Sequence, residues 1–263
     1  MRVLFIGDIV GEPGREIVRK QLRDLKKAKK IDAVIANAEN AAGGSGITRR
    51  IAEELEEFGV DVLTSGDHVW KKREIYEHLI RSDRLVRPAN YPKSAPGSGS
   101  TCVEIEGKGT LGVINLIGRV FMEAVDCPFL RVTEEIEKLR KKTSMIVVDM
   151  HAEATSEKVA MGWFLDGKVS AVVGTHTHIQ TADETVLPGG TAYITDCGMT
   201  GPYDSVIGRR KELIIERFMT QLPNRFEVAN KDVRMSGVII DLDGTTGRAK
   251  DVKRLQVRDE FAK

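Results

Sequence analysis

The chain has 263 residues, of which 41% are hydrophobic and 30% are charged, which is typical of a globular protein with one large domain or two small ones. Its 40 Lys and Arg residues nearly balance 39 Asp and Glu residues, so the formal charge of +1 gives no sign of a polyanionic partner. No apolar run approaches the roughly 20 residues of a membrane span, and Asp8 follows the apolar start too soon for a signal peptide, so we expect a cytoplasmic protein.

Apolar runs and amphipathic segments alternate through the first part of the chain, as in α/β proteins. Residues 2–6, 33–37 and 62–65 predict strands, and residues 15–30 and 48–58 predict the helices between them. Polar residues that can bind metals follow each strand: Asp8, then Glu39 and Asn40, then Asp67 and His68. One acidic residue after a strand is usually a turn or a helix cap. Three such groups at the ends of parallel strands would converge on one edge of a sheet.

The rest of the chain predicts a more mixed architecture. Helices are expected at 72–80 and 131–142, a hairpin at 101–106 and 111–116, and further strands at 145–150, 169–173, 192–195, 226–229, 233–241 and 253–257. The Pro-, Gly- and Ser-rich loop at 87–100 is the only plausible internal boundary, but the strand pattern resumes directly after it. We therefore expect a single domain over residues 1–263, with a mixed sheet or two packed sheets covered by helices.

The histidines fall in a pattern that suits a metal site. The chain has five, and His151 directly follows the strand at 145–150. If the strand at 169–173 continues extended, alternate residues share a face, and His176 and His178 point to the same place. The alternative is that they are ordinary surface or core histidines, as His78 on its predicted helix is. The segment after His151 contains Glu153, Ser156, Glu157 and Lys158. These residues could form hydrogen bonds with the metal ligands or belong to a solvated turn, and we favour the solvated turn.

One tetrahedral zinc ion takes about four ligands, and the candidates are more numerous: Asp8, Glu39, Asn40, Asp67, His68, His151, His176 and His178. They suit two cations that activate a water molecule between them. The three cysteines are widely spaced and form no CxxC pair, so neither a thiolate zinc site nor a disulfide framework is expected. Nitrogen and oxygen ligands without thiolates favour manganese, iron or zinc.

The order of the motifs resembles the metallophosphoesterase superfamily of calcineurin-like enzymes. The motifs are GD at 7–8, EN at 39–40, GDH at 66–68, the single His151, and GTHTH at 174–178. More closely, the chain resembles the YmdB-type branch, whose opening DxH lacks its histidine, as Asp8-Ile9-Val10 does here. The segments NAENAAGG, HAEATSEKVAMGW and GTHTHIQTAD support that branch, and the resemblance covers residues 1–260.

This resemblance implies an α/β domain of two packed mixed sheets flanked by helices, with two metal ions at the strand ends. By position, one ion would be bound by Asp8, Glu39, Asn40 and His178, and the other by Glu39, Asp67, His151 and His176. A hydroxide that bridges the ions would attack phosphorus, and the unligated His68 would protonate the leaving oxygen as the general acid. The resemblance further implies a phosphodiesterase acting on 2',3'-cyclic nucleotides, iron or manganese with zinc as an alternative, and a homo-oligomer, dimeric or tetrameric.

The sequence departs from the superfamily at one ligand position. Where the superfamily motif is GNH, this chain has Gly66-Asp67-His68. An added negative charge should tighten metal binding and reduce the Lewis acidity that the phosphate experiences, so turnover should be slower than in an Asp67→Asn variant.

Two other functions compete with a phosphodiesterase. One is a broad phosphomonoesterase that uses the same site. The other is a regulatory or RNA-metabolism protein whose metals are structural and which has little activity. The near-zero charge and the lack of a basic, aromatic stripe argue against direct binding of nucleic acid. An unligated His68 beside the metals argues against a purely structural site.

Overall fold

Two β-sheets form the centre of the protein in a computed structural model, which describes residues 1–259. In chain order the strands are β1 (Arg2–Ile6), β2 (Asp8–Ile9), β3 (Ala33–Asn37), β4 (Val62–Thr64), β5 (Ser100–Ile105), β6 (Gly109–Ile117), β7 (Ile146–His151), β8 (Ala171–Thr175), β9 (Thr185–Val186), β10 (Ala192–Ile194), β11 (Met199–Pro202), β12 (Val233–Leu242) and β13 (Ala249–Arg258). The helices are α1 (Gly11–Lys29), α2 (Arg49–Glu57), α3 (Ile75–Arg81), α4 (Pro128–Leu139), α5 (Thr155–Leu165), α6 (Lys211–Thr220) and a 3-10 helix, Asp67–Lys71.

Both sheets contain parallel and antiparallel pairs. The first has the order β2-β11-β12-β1-β3-β4, with β13 beside β12. In it β1, β3 and β4 are parallel, whereas β12 is antiparallel to β1 and β13. The second has the order β5-β6-β7-β8-β10-β9, with parallel inner strands and antiparallel edge pairs. Parallel neighbours need crossover connections, which α1 and α2 provide for the first sheet and α4 and α5 for the second.

The two sheets pack face to face, because successive side chains of a strand point to opposite faces. Val3 and Phe5 of β1 share a buried cluster with Val147 of β7, which places them between the sheets. Leu4 points the other way and packs in a cluster with Ile17 of α1. On the second sheet, α4 and α5 cover the outer face in the same manner. The predicted fold class, α/β with two packed mixed sheets flanked by helices, is confirmed.

Most predicted elements lie within a few residues of the observed ones, including the antiparallel hairpin of β5 and β6. The predicted strand at 226–229 is wrong, because Val228 forms only an isolated bridge with Arg209 in the described chain. The helix expected from residue 15 begins at Gly11, so the second half of the glycine-rich segment forms its first turn. The sequence patterns predict neither α5 nor α6, and α5 takes up most of the segment expected to be a solvated turn.

The expectation of a single domain over residues 1–263 stays a prediction, and its last part, 260–263, lies outside the described residues. Within residues 1–259, no helix is both long enough and apolar enough to cross a membrane.

Candidate metal centre

The predicted ligands meet where the carboxyl ends of strands from both sheets come together. Asp8 opens β2 just after β1, and Glu39 and Asn40 follow β3. Asp67 and His68 open the 3-10 helix after β4, His151 is the last residue of β7, and His176 and His178 follow β8. Each residue therefore reaches the centre from the end of a buried strand, as the sequence pattern predicts. Ligand atoms of Glu39, Asp67, His151 and His176 all lie within 4.8 Å of one another.

His151 is in the middle of this first group. Its Nε2 lies 3.0 Å from His176 Nδ1, 3.1 Å from Asp67 Oδ1 and 3.4 Å from Glu39 Oε2. Its side chain has no exposed surface, and Glu39 is 1% exposed. Two imidazoles and two carboxylates thus converge on one small volume, with nitrogen and oxygen atoms turned inward.

A second group lies directly beside the first. His178 Nε2 is 3.2 Å from Asn40 Nδ2 and 3.7 Å from Asp8 Oδ1. Asn40 Nδ2 also donates to Glu39 Oε1 at 2.9 Å, so Glu39 contacts both groups. Asp8 Oδ1 is buried and has no hydrogen-bond partner among the described residues. Its other oxygen, Oδ2, accepts the backbone N–H of His176 at 3.1 Å.

Hydrogen bonds on the outer ring nitrogens set the tautomers of the three histidines. His151 Nδ1 lies 2.9 Å from Thr175 Oγ1, whose own hydrogen is donated to Asp149 Oδ1 at 2.7 Å. A hydroxyl that donates to Asp149 accepts from His151 in the tautomer with the proton on Nδ1, which is the tautomer that leaves Nε2 free for a metal. His178 Nδ1 donates to the carbonyl of Ile207 at 3.0 Å, and His176 Nε2 lies 3.2 Å from the Glu153 carboxylate. Each ring thus turns an unprotonated nitrogen inward, as metal-binding histidines do.

This donor set fits metal cations. In these tautomers the facing nitrogens of His151 and His176 both carry lone pairs at 3.0 Å, which repel unless a proton or a cation lies between them. Burial lowers the pKa of His151 to about 3, which disfavours the proton.

Burial, together with the charge of Asp196, raises the pKa of Asp8 to about 7. Burial and the charges of Asp67 and Asp8 raise the pKa of Glu39 well above its usual value. Bound cations would keep these carboxylates ionised.

His68 lies at the rim of the centre. Its Nδ1 is 2.7 Å from Asn40 Oδ1, a carbonyl oxygen that can only accept, so Nδ1 carries a proton. Its Nε2 is 3.5 Å from Asp67 Oδ2, and the side chain is 30% exposed. Burial lowers the pKa of His68, while the charge of Asp67 opposes this shift. The Nε2 atom is therefore the position from which His68 can exchange a proton.

The HxH segment reaches the centre differently from the sequence expectation. The strand β8 ends at Thr175, and His176 and His178 have φ values of 97° and 65°, so the segment is not extended. We call residues 176–178 the histidine loop. Thr177, its central residue, donates its backbone N–H and its hydroxyl to Asp196 Oδ2 at 3.0 Å and 2.7 Å. Two imidazoles thus enter the site from a turn that a carboxylate holds in place.

The expectation of a solvated turn at residues 153–158 is wrong for two of its polar side chains. Lys158 has no exposed surface, and its Nζ lies 2.8 Å from Asp196 Oδ2. Glu157 is buried and accepts the backbone N–H groups of Arg119 and Val120 at 3.1 Å and 3.3 Å. Local sequence could not reveal these partners. The helix that carries both residues also had little signal, because the apolar residues of 155–165 are not confined to one face and Trp163 is exposed.

Comparisons with known proteins agree with this fold. The family model described as YmdB-like protein matches residues 4–255. A protein of Bacillus subtilis (strain 168) named 2',3'-cyclic-nucleotide 2'-phosphodiesterase is 51% identical over 99% of this chain and 98% of its own length. A crystal structure of a hypothetical protein from Thermus thermophilus has a TM-score of 0.92 and 42% identity, covering 98% of this chain and all of the other.

A crystal structure described as a novel phosphatase of Mycoplasma pneumoniae matches with a TM-score of 0.91 and 35% identity, over 98% of this chain and 93% of the other. These relatives confirm the family expected from the motifs. Their names also confirm the expectation of an enzyme of the phosphodiesterase or phosphatase type.

Proposed function

Because the chain belongs to the YmdB-like family, we propose that it is a metal-dependent phosphodiesterase that hydrolyses 2',3'-cyclic nucleotides. The observation that carries this proposal is the coincidence of two features. A relative with that activity in its name is 51% identical over nearly the whole chain, and a cluster of Glu39, Asp67, His151 and His176 is present at the strand ends. The convergent polar groups beside an open cavity are those expected of an active site.

We propose two metal ions, iron or manganese with zinc as an alternative. Glu39, Asp67, His151 and His176 would bind one, and Glu39 with Asp8, Asn40 and His178 the other. Asn40 turns its amide nitrogen towards Glu39 and His178, so it would bind through Oδ1, the atom that also accepts from His68 Nδ1. When bound, such ions lower the pKa of the attacking water and neutralise charge on the phosphoryl oxygens. The outer hydrogen bonds of His151 with Thr175 and of His178 with Ile207 hold each imidazole with its unprotonated nitrogen inward.

His68 supplies the proton in this proposal. Hydrolysis to a 3'-nucleotide breaks the bond between phosphorus and the 2'-oxygen, which leaves with negative charge and needs a proton. In the protonated ring, Nδ1–H stays bound to Asn40 Oδ1 and Nε2–H is the proton that transfers. Burial lowers the pKa of His68, which makes the imidazolium a stronger acid, and the charge of the nearby Asp67 opposes this shift.

The test is hydrolysis by purified protein of known metal content, with 2',3'-cAMP, 3',5'-cAMP, bis(p-nitrophenyl) phosphate and p-nitrophenyl phosphate as substrates. We expect two metals per chain and hydrolysis of the cyclic 2',3'-diester. His68→Ala should lower kcat by roughly 10²- to 10⁴-fold with the metal content unchanged. His78→Ala is the matched control, since His78 lies on α3 and lines a different surface, and it should retain full activity.

Other outcomes would support the competing functions. Preference for p-nitrophenyl phosphate would indicate a broad phosphomonoesterase. Two tightly bound metals without hydrolysis of any ester would indicate a regulatory protein with structural metals.

We also propose that the protein forms a homo-oligomer, a dimer or a tetramer. Helix α6 and the segment after it expose Phe218, Met219 and Leu222, with 71%, 80% and 65% of their surfaces accessible. Large apolar side chains exposed this close together in the chain are typical of an interface, and a second copy of the chain can cover them. Light scattering on the wild type and on Phe218→Glu tests this: the variant should have a lower molecular mass.

A cytoplasmic location, a single domain and the lack of direct nucleic-acid binding stay predictions.

A further inference from the structure

One arginine lines the same cavity as the metal centre. The cavity has a volume of about 360 Å³ and is bounded by Glu39, Asn40, His68, the histidine loop and Arg209. Arg209 follows Ile207, the residue whose carbonyl orients His178, by two positions. The link between Ile207 and His178 places the segment that carries Arg209 at the edge of the metal centre.

Arg209 carries a positive charge that no side chain of residues 1–259 neutralises. Its guanidinium donates to the backbone carbonyls of Gly43, at 3.2 Å, and Gly44, and no carboxylate in the described part of the chain forms an ion pair with it. The side chain is half-buried. Buried charges are ordinarily paired, because removing an ion from water is costly. The adjacent Arg210 shows the ordinary case, since it is exposed and pairs with Glu227 at 3.1 Å.

The two hydrogen bonds to backbone carbonyls hold the guanidinium in place and leave other N–H groups of it free. A guanidinium has five N–H donors in a planar fork, and the two carbonyls occupy only part of it. Carbonyl dipoles hold the group in position but contribute no net charge. Arg209 is thus pre-organised at the cavity wall with donors left for an anion, which is the arrangement that binds phosphate well.

Building on the proposed function, we infer that Arg209 is a substrate-binding residue whose guanidinium binds a phosphate oxygen of the substrate. The anion is either the phosphate that is hydrolysed or a second phosphate of the same nucleotide, such as one at the 5'-position. In both cases Arg209 adds affinity for anionic esters that the metal centre alone does not supply.

The main test is the affinity for inorganic phosphate, measured calorimetrically on metal-loaded wild type, Arg209→Gln and Arg210→Gln. Glutamine can still donate a hydrogen bond to the carbonyl of Gly43 or Gly44 but has no charge. The variant therefore distinguishes the loss of anion binding from the loss of that structural hydrogen bond. Arg209→Gln should weaken phosphate binding by roughly 10-fold or more, as expected for a lost charge-assisted hydrogen bond. Arg210→Gln should stay within about twofold of the wild type, because Arg210 is outside the cavity. Equal affinity in the two variants would overturn the inference, as would an unmeasurable affinity in the wild type.

Hydrolysis kinetics distinguish the two phosphates. We expect Arg209→Gln to raise KM for 2',3'-cAMP, with a larger rise for the same nucleotide carrying a 5'-phosphate if that group is the one bound. An unchanged KM for both nucleotides, with active wild type, would refute the role of Arg209. If the wild type hydrolyses no ester, the proposed function fails, while the phosphate affinities still decide whether Arg209 binds an anion. Thermal unfolding of each variant checks that the fold is intact.

Discussion

Lys158 and Asp196 form an ion pair in which Lys158 Nζ lies 2.8 Å from Asp196 Oδ2, and neither side chain has exposed surface. The same oxygen accepts both the N–H and the hydroxyl of Thr177, between His176 and His178. Those histidines have positive φ, which costs a non-glycine residue on the order of 1 kcal/mol each. The buried pair therefore holds a strained turn that brings two imidazoles to the candidate metal centre.

Replacing Lys158 with methionine should destabilise the protein by roughly 3–5 kcal/mol, because Asp196 is left as an uncompensated buried charge. Chemical denaturation measures the loss. The double variant Lys158→Met/Asp196→Asn removes both charges and should be more stable than the single variant. Lys253→Met is the control, since Lys253 forms an exposed pair with Asp251 and its replacement should have no measurable effect. A double variant as unstable as the single one would show that the charge pair is not the cause.

Thr175 controls the tautomer of His151 through its hydroxyl, which connects the ring to Asp149. Thr175→Val keeps the shape but removes this link, so His151 Nε2 no longer has a fixed lone pair. We expect metal affinity to fall by roughly 10- to 100-fold, measured by competition with a chelator. Thr191→Val is a matched control, because Thr191 is also buried and its hydroxyl donates to the Val169 carbonyl at the other end of β8. Equal metal affinity in the two variants would contradict this role of Thr175.

The convergence of the candidate ligands at the strand ends could be predicted from the sequence because its signal is local. Asp8, Glu39 and His151 each follow a short apolar run, and parallel strands bring such positions together whatever the exact length of the connections. The family motifs added the division of the ligands into two groups. Most strands could be predicted for the same reason, since they are short apolar runs separated by turn residues. Their division into two packed sheets came from the family resemblance.

The supporting residues could not be predicted, because their partners are distant in the chain. Lys158 and Asp196 are 38 residues apart, and a lysine within a polar stretch is usually solvated. The conformation of the histidine loop had no local signal either. Non-glycine residues seldom adopt positive φ, and nothing in the neighbouring sequence indicates that His176 and His178 do. Arg209 resembles its exposed neighbour Arg210 in sequence, and only the fold distinguishes them.

Asp67→Asn should bind metal more weakly and turn over faster at saturating metal. Asp67 Oδ1 lies 3.1 Å from His151 Nε2, so its full charge acts directly within the proposed centre. A neutral amide leaves the cations more Lewis-acidic. Asp67 also raises the pKa of His68, so the fall in rate at high pH should move to lower pH in the variant. The measurements are kcat at each protein's optimum, metal affinity and the pH profile. A lower kcat at saturating metal would contradict the prediction.

Removing the metals should expose the contribution of buried carboxyls to the pH dependence of stability. His151 opposes it, because its lowered pKa favours folding as the pH rises. Burial raises the pKa of Asp8 and Asp149 to about 7, whereas both are near 4 in an unfolded chain. A carboxyl whose pKa is raised by folding contributes its full stability below the unfolded pKa, and the contribution is lost as the pH rises through the folded pKa. Between about pH 4 and 7, each such group lowers the free energy of unfolding by up to about 1.4 kcal/mol per pH unit.

Chelator-treated protein should therefore unfold more easily at pH 8 than its other ionisable groups would predict. Metal-loaded protein should show a smaller loss, because the ions act on Asp8 and not on Asp149. Bound cations keep Asp8 ionised without penalty and add stability according to their concentration relative to Kd. Denaturation of both forms from pH 5 to 8 measures the difference. Asp8→Asn is the decisive variant, because an amide cannot ionise. In the metal-free state this variant should lose part of the pH dependence, and if its slope equals that of the metal-free wild type, Asp8 is not the group responsible.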